Sequence, residues 1–112
     1  MWLLDVNVPR QIVPVHAEFG IEAETADSPG WNVLTNGKLL EAASRGGFRC
    51  LLYRDRLFGQ SAARSLQAFP EIAIVIAKIP QLRRPDYLEA FRSEWEKSPI
   101  SPQAGEVIVW PS

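Results

Sequence analysis

Two aspartates follow short apolar segments, where a parallel sheet would place a ligand site. Asp5 comes directly after residues 2–4, and Asp55 stands just beyond the apolar segment 48–53. In an open α/β sheet, ligands bind beyond the carboxyl ends of the strands. Two carboxylates that converge there repel each other and favour a divalent cation between them. The pattern therefore predicts a magnesium or manganese site, in which the metal polarises a phosphate and activates water. The alternative is that the acids only cap the helices after the strands, since Asp5 stands four residues before Pro9.

Basic side chains flank the second aspartate. Arg54 and Arg56 lie on either side of Asp55. They are placed to hold the phosphates of an RNA backbone, or they belong to a solvated loop, and the sequence leaves both interpretations open. The pair Arg83-Arg84 lies between two prolines and is typical of a surface loop. The totals, 12 Lys and Arg against 13 Asp and Glu, predict no overall basic face.

Apolar strand-like segments alternate with amphipathic helical patterns along the chain. This alternation predicts the order βαβαβαβαβ in a single domain of residues 1–112, folded as a three-layer α/β/α sandwich around a mostly parallel sheet of about five strands. The expected strands are 2–4, 21–25, 48–53, 72–77 and 106–110. The expected helices begin with Pro9 in the first turn, near Thr35 or Asn36, near residue 60, and near Asp86.

Composition excludes several classes of protein. The chain has 112 residues, 46% of them hydrophobic, and a net charge of −1, which disfavours a disordered chain. We expect no spanning helix and no signal peptide. A lone cysteine, Cys50, cannot form an internal disulfide and fits a reducing cytoplasm. One Cys and one His are too few for a zinc site.

Several aromatic and titratable residues have structural interpretations. Cys50 and Trp95 are expected in the core, and His16 is expected to be half-buried and hydrogen-bonded. Trp2 and Trp110 lie on the first and last predicted strands, where they either cover the sheet or anchor a dimer.

Three segments, in this order and spacing, carry a family resemblance. They read LLDVNVP, GWNVLTNGKLLEAASRGGFRCLLYRDRLFGQSA and IAIVIAKIP. Together they resemble the small bacterial PIN-like proteins, which belong to the superfamily of PIN-domain ribonucleases and VapC-type toxins. The resemblance runs from residue 3 to about residue 95. A phosphoacceptor receiver domain also has acids after its first and third strands. That fold has a second acid directly after the first, where this chain has Val6. It also has a lysine after the last strand, where this chain has Pro111.

The resemblance implies a function as well as a PIN-like fold. It matches Asp5 and Asp55 to acids that bind magnesium or manganese and position water for RNA cleavage, and Asn36-Gly37 to the helix start before another family acid. A toxin of this family would have an antitoxin protein as its partner and would form a homodimer.

The sequence also departs from the family pattern. Val6, Lys38 and Leu57 stand where relatives carry acids. Lys38 could neutralise the carboxylates or contact a substrate phosphate. Glu41, one helical turn further on, could replace the missing acid, and Asn7 could orient the substrate or a ligand. Two hypotheses follow: a metal-dependent ribonuclease of toxin–antitoxin type, or a PIN-like fold that has lost catalysis and binds protein or RNA.

Overall fold

The computed structural model describes residues 1–5, 8, 11–25, 36–54, 56–79 and 84–111, and it confirms the predicted order of strands and helices. The strands are β1 (Trp2–Leu4), β2 (Ala23–Thr25), β3 (Cys50–Tyr53), β4 (Ala73–Ala77) and β5 (Val107–Trp110). The helices are α1 (Ile12–Glu18), α2 (Asn36–Arg45), α3 (Arg56–Ser65) and α4 (Arg84–Lys97), and a 3₁₀ turn (Leu66–Ala68) follows α3.

The five strands form one parallel sheet in the order β2-β1-β3-β4-β5. Parallel neighbours need crossover connections, and the helices between the strands supply them. Helices α1 and α4 pack on one face of the sheet, and α2 and α3 pack on the other. The predicted three-layer α/β/α arrangement is therefore confirmed.

Successive side chains of the central strands pack alternately into two hydrophobic cores, one on each face of the sheet. Along β3, Leu51 faces α2 and α3, whereas Leu52 faces α1 and α4, and both are 1% exposed. The register repeats this division across the sheet, with Leu3, Leu51 and Ile74 level on one face and Leu4, Leu52 and Val75 level on the other. Strands buried on both faces read as continuous apolar runs, and β4 has that sequence.

Two helices begin earlier than the sequence predicts. Helix α3 starts at Arg56 rather than near residue 60, although Gly59 lowers the helix propensity of its first turns. Helix α4 starts at Arg84, which corrects the prediction that Arg84 lies in a surface loop. Pro85 is accommodated in the first turn of α4, where its missing N–H leaves no helical hydrogen bond unmade. No helix in the described part of the chain combines the length and apolar character that a membrane crossing requires.

An aromatic cluster joins the first strand to α1 and α4. The rings of Trp2 and His16 lie 4.9 Å apart in an edge-on arrangement, and Trp95 packs 5.9 Å from Trp2 and 5.5 Å from Trp110. The Trp110 indole N–H donates to the carbonyl of Ser98 at 2.7 Å. Trp2 and Trp110 are both buried, so they cover the sheet and are not exposed dimer anchors.

His16 is completely buried in this cluster rather than half-buried. Its Nδ1–H donates to the carbonyl of Ile12 at 3.3 Å, and because a carbonyl only accepts, this bond places the proton on Nδ1. Nε2 has no hydrogen-bond partner among the described residues. Burial lowers the pKa of His16 from 6.5 to about 4, and the bond to Ile12 offsets only part of that shift.

We expect the protein to lose stability between pH 6.5 and pH 4 because of His16. The unfolded chain binds a proton as the pH falls below 6.5, whereas folded His16 stays neutral until about pH 4. The free energy of unfolding should therefore fall by roughly 3 kcal/mol across this window through this one group. Urea unfolding of the wild type and of His16→Phe at several pH values measures the effect.

His16→Phe serves as the comparison, because this variant retains every other titratable group of the protein. The difference between the two curves should level off above pH 6.5 and change steadily below it. Parallel curves from pH 4 to pH 7 would show that His16 does not stay neutral in the folded protein. His16→Gln provides the same comparison if the phenylalanine variant does not fold.

Candidate functional site at the carboxyl edge of the sheet

The strand order reverses direction between β1 and β3. From β1 the chain proceeds to β2 on one side, whereas from β3 it proceeds to β4 on the other. A crevice at the carboxyl ends of two such strands is the usual ligand site of an open α/β sheet. Asp5 lies there, and its backbone N–H donates to the carbonyl of Leu52 at 2.9 Å. This hydrogen bond continues the β1–β3 ladder and places Asp5 level with Tyr53.

Asp5 and Tyr53 lie on the same side of the sheet. Pleat alternation puts both with Leu3 and Leu51, toward α2 and α3. Burial raises the pKa of Tyr53, and the negative charge of Asp5 raises it further. The Tyr53 hydroxyl is buried and has no hydrogen-bond partner among the described residues. Tyr53 is therefore a neutral phenol beside the carboxylate.

Arg54 lies on the opposite side, toward α1 and α4. Its guanidinium carbon is 5.3 Å from the ring centroid of Tyr87, in the first turns of α4. Burial raises the pKa of Tyr87, and the positive charge of Arg54 counteracts part of that rise. The stacking holds a half-buried cation at the end of β3.

The structure locates the other predicted site residues only in part. Asn7 and Asp55 lie outside the described residues, and of Arg56 only its position at the start of α3 is described. Lys38 is exposed in the first turn of α2. Glu41, further along α2, forms an ion pair of 2.8 Å with Arg45.

Of the two predicted metal ligands, Asp5 is the one that the described residues include. Asp5 follows β1 at this edge of the sheet, where its backbone N–H donates to the carbonyl of Leu52. Within the described ranges, no three His, Cys, Asp or Glu side chains are grouped as metal ligands. The predicted set includes Asp55, whose placement lies outside those ranges. The metal site thus stays a prediction in which Asp5 has its expected position.

Cys50 belongs to the core, as predicted. It is buried in β3, and burial raises the pKa of its thiol. Thiolates are the nucleophilic form of cysteine, so this raised pKa makes Cys50 unreactive at neutral pH.

Sequence reasoning did not identify Tyr53 and Tyr87 as neighbours of the site. Both occur in apolar patterns that predict core positions, and both are indeed buried. Their relation to Asp5 and Arg54 depends on strand register and on the packing of α4, for which the sequence carries no local signal.

Comparisons of the chain with protein-family models, with curated proteins and with solved structures found no match.

We expect a measurable coupling between Arg54 and Tyr87. A guanidinium over an aromatic ring contributes about 0.5–1 kcal/mol at a partly exposed position. A double-mutant cycle with Arg54→Ala and Tyr87→Leu, followed by urea unfolding, should yield a coupling energy of this size. The cycle cancels the other contacts of each residue.

The control cycle uses Tyr87→Phe, which keeps the aromatic face and removes the hydroxyl. Arg54→Ala and Tyr87→Phe should be nearly additive, because the phenyl ring still accepts the cation. Equal coupling energies in the two cycles would contradict an interaction with the ring face.

Proposed function

We propose that the chain is a divalent-metal-dependent ribonuclease of PIN-like type, whose site lies at the carboxyl ends of β1 and β3. The observation that carries this proposal is the backbone hydrogen bond from Asp5 to Leu52, which holds an acid at the point where the strand order reverses. That position is where ligands bind in sheets of this kind. The resemblance to PIN-like proteins supports RNA as the substrate.

Each residue has a distinct role in the proposal. Asp5 and Asp55 would hold a magnesium or manganese ion, and Glu41 could add a third carboxylate by leaving its ion pair with Arg45. The ion would polarise a phosphate and lower the pKa of bound water. Asn7 would orient the substrate.

The basic residues would bind the substrate phosphates. Arg54 would contribute a guanidinium that stacking on Tyr87 already orients. Lys38, exposed near the start of α2, and Arg56, at the start of α3, would add further positive charge. Phosphate contacts of this kind fix position and carry little sequence information.

The proposed function includes a partner and a compartment. By its resemblance to toxins, the chain would act in the cytoplasm and would be inhibited by a small antitoxin protein that covers the site. A homodimer also belongs to this proposal.

A second candidate function is a binding module without catalysis. The observation that favours it is the ion pair between Glu41 and Arg45, because it occupies the carboxylate that would replace the missing family acid. Lys38 stands at the position of that acid and supplies a positive charge instead. Such a module would bind RNA or protein at the same edge with no need for a metal.

Manganese should stabilise the wild type and should not stabilise Asp5→Asn. A ligand present at ten times its Kd stabilises the folded state by about 1.4 kcal/mol. This corresponds to a rise of several degrees in Tm for a domain of about 110 residues. Thermal unfolding of both proteins with and without about 10 mM manganese measures the shift.

Glu96→Gln is the matched control. It removes one carboxylate at an exposed position in the last turn of α4, at the opposite end of that helix from Tyr87. This variant should keep the full manganese shift. Equal shifts in all three proteins would place any bound manganese elsewhere, and no shift in the wild type would contradict a metal site formed without substrate.

Cleavage of single-stranded RNA in manganese separates the two candidate functions. The ribonuclease should lose activity on chelation of the metal, in Asp5→Asn and in Asp55→Asn. RNA that is bound but not cleaved, with the same affinity when the metal is chelated, would establish the binding module instead.

A further inference from the structure

The two edges of the sheet have opposite chemical character. The edge strand β2 carries an exposed glutamate at position 24 and follows another at position 22. The edge strand β5 reads Val-Ile-Val-Trp and contains no charge. Val107 is 45% exposed and Val109 is 41% exposed, two of the three exposed large hydrophobic residues in the described part of the chain. Charged residues normally protect a sheet edge from pairing, and β5 lacks this protection.

The hydrogen bonds between β4 and β5 show which backbone groups of β5 point outward. The N–H of Ile74 donates to the carbonyl of Glu106 at 2.8 Å, and the N–H of Lys78 donates to that of Trp110 at 2.6 Å. In a parallel ladder, alternate residues of a strand bond to the same neighbour. Residues 106, 108 and 110 therefore bond toward β4, and Val107 and Val109 present their N–H and C=O groups to the open edge.

We propose that β5 pairs antiparallel with β5 of a second copy of this chain, so that Val107 lies opposite Val109 of the partner subunit. Two residues with outward-pointing groups, separated by one, are self-complementary about a twofold axis. Each of the two equivalent pairs exchanges both of its N–H···O bonds. The pairing therefore makes four backbone hydrogen bonds, and Ile108 lies on the axis opposite its own copy.

This register is the one that uses both outward residues of each copy. A shift of two residues in either direction pairs only Val107 or only Val109 with its own copy and leaves the other outward residue unpaired. Pro111 has no N–H, so the ladder cannot extend past Trp110.

The side chains agree with the backbone pattern. Val107 and Val109 stand level with Ile74 and Ile76, on the face covered by α2 and α3, but they themselves remain exposed. In the dimer, four valines form an apolar patch across the axis, since directly opposite β-branched residues pack against each other. A second copy also brings no charge into this patch, because none lies within β5.

The affinity between the two copies is limited because β5 has only four residues. Four residues from each copy form an interface at the low end of specific interfaces, so the dimer should be in concentration-dependent equilibrium with the monomer. This inference gives the homodimer of the proposed function its surface, but it is argued from the edge strand β5 alone. Its failure would leave the manganese and RNA experiments unaffected, so the two proposals can fail separately.

The register is tested by cross-linking Ile108→Cys. Opposite residues of a non-hydrogen-bonded pair have Cα atoms about 4.5 Å apart, within the range that a disulfide spans. Oxidised Ile108→Cys should therefore run as a covalent dimer. The native Cys50 is buried and should not contribute. Val109→Cys is the control, because in this register its own copy is more than about 8 Å away, beyond disulfide reach.

Sedimentation over a range of concentrations tests the wild-type chain. The wild type should shift from monomer toward dimer, and Val109→Lys should weaken the association at least about tenfold, since lysine blocks an edge. Glu24→Lys, which places the same side chain on the other edge, should associate like the wild type. A wild type that stays monomeric, a loss of association in Glu24→Lys alone, or equal cross-linking in the two cysteine variants would overturn the proposal.

Discussion

Burial of a parallel sheet on both faces is the constraint on which the rest of this structure depends. Parallel strands cannot be joined by tight turns, so every pair requires a crossover, and the crossover helices must then cover the sheet. Central β3 illustrates the result, because all four of its residues are buried. Its side chains alternate between two separate cores, one under α1 and α4 and the other under α2 and α3.

Tertiary packing must stabilise the shortest helix. Helix α1 has seven residues, too few for an isolated helix to persist in water. It is held through Ile12 and Val15 in the core and through His16 among the rings of Trp2, Phe91 and Trp95. At the surface, an ion pair of 2.7 Å between Arg92 and Glu18 also joins α4 to α1. Helix α1 is therefore stabilised by its aromatic contacts with β1 and α4 rather than by its own helix propensity.

The sequence predicts the elements of this fold better than their boundaries. The apolar run at 72–77 predicts β4 because it is short and rich in isoleucine and valine, which is typical of a strand buried on both faces. The start of α3 is less predictable, since Gly59 weakens the helical signal that packing against the sheet overrides. Chain order alone predicts that Asp5 follows the first strand, whereas its place at the point where the strand order reverses depends on β1 and β3 being neighbours. The stacking of Arg54 on Tyr87 is not, because 33 positions separate them along the chain and only the packing of α4 brings them together.

The carboxyl edge of the sheet carries opposite charges on its two faces. Asp5 lies toward α2 and α3, whereas Arg54 lies toward α1 and α4. A phosphate that approaches this edge is attracted by the guanidinium and repelled by the carboxylate. A cation between the phosphate and Asp5 removes that repulsion, so binding of metal and binding of phosphate would reinforce each other at this site. In the proposed site, Asp5→Asn would therefore separate the two candidate functions, because it would remove metal-dependent binding and would strengthen metal-independent binding of phosphate.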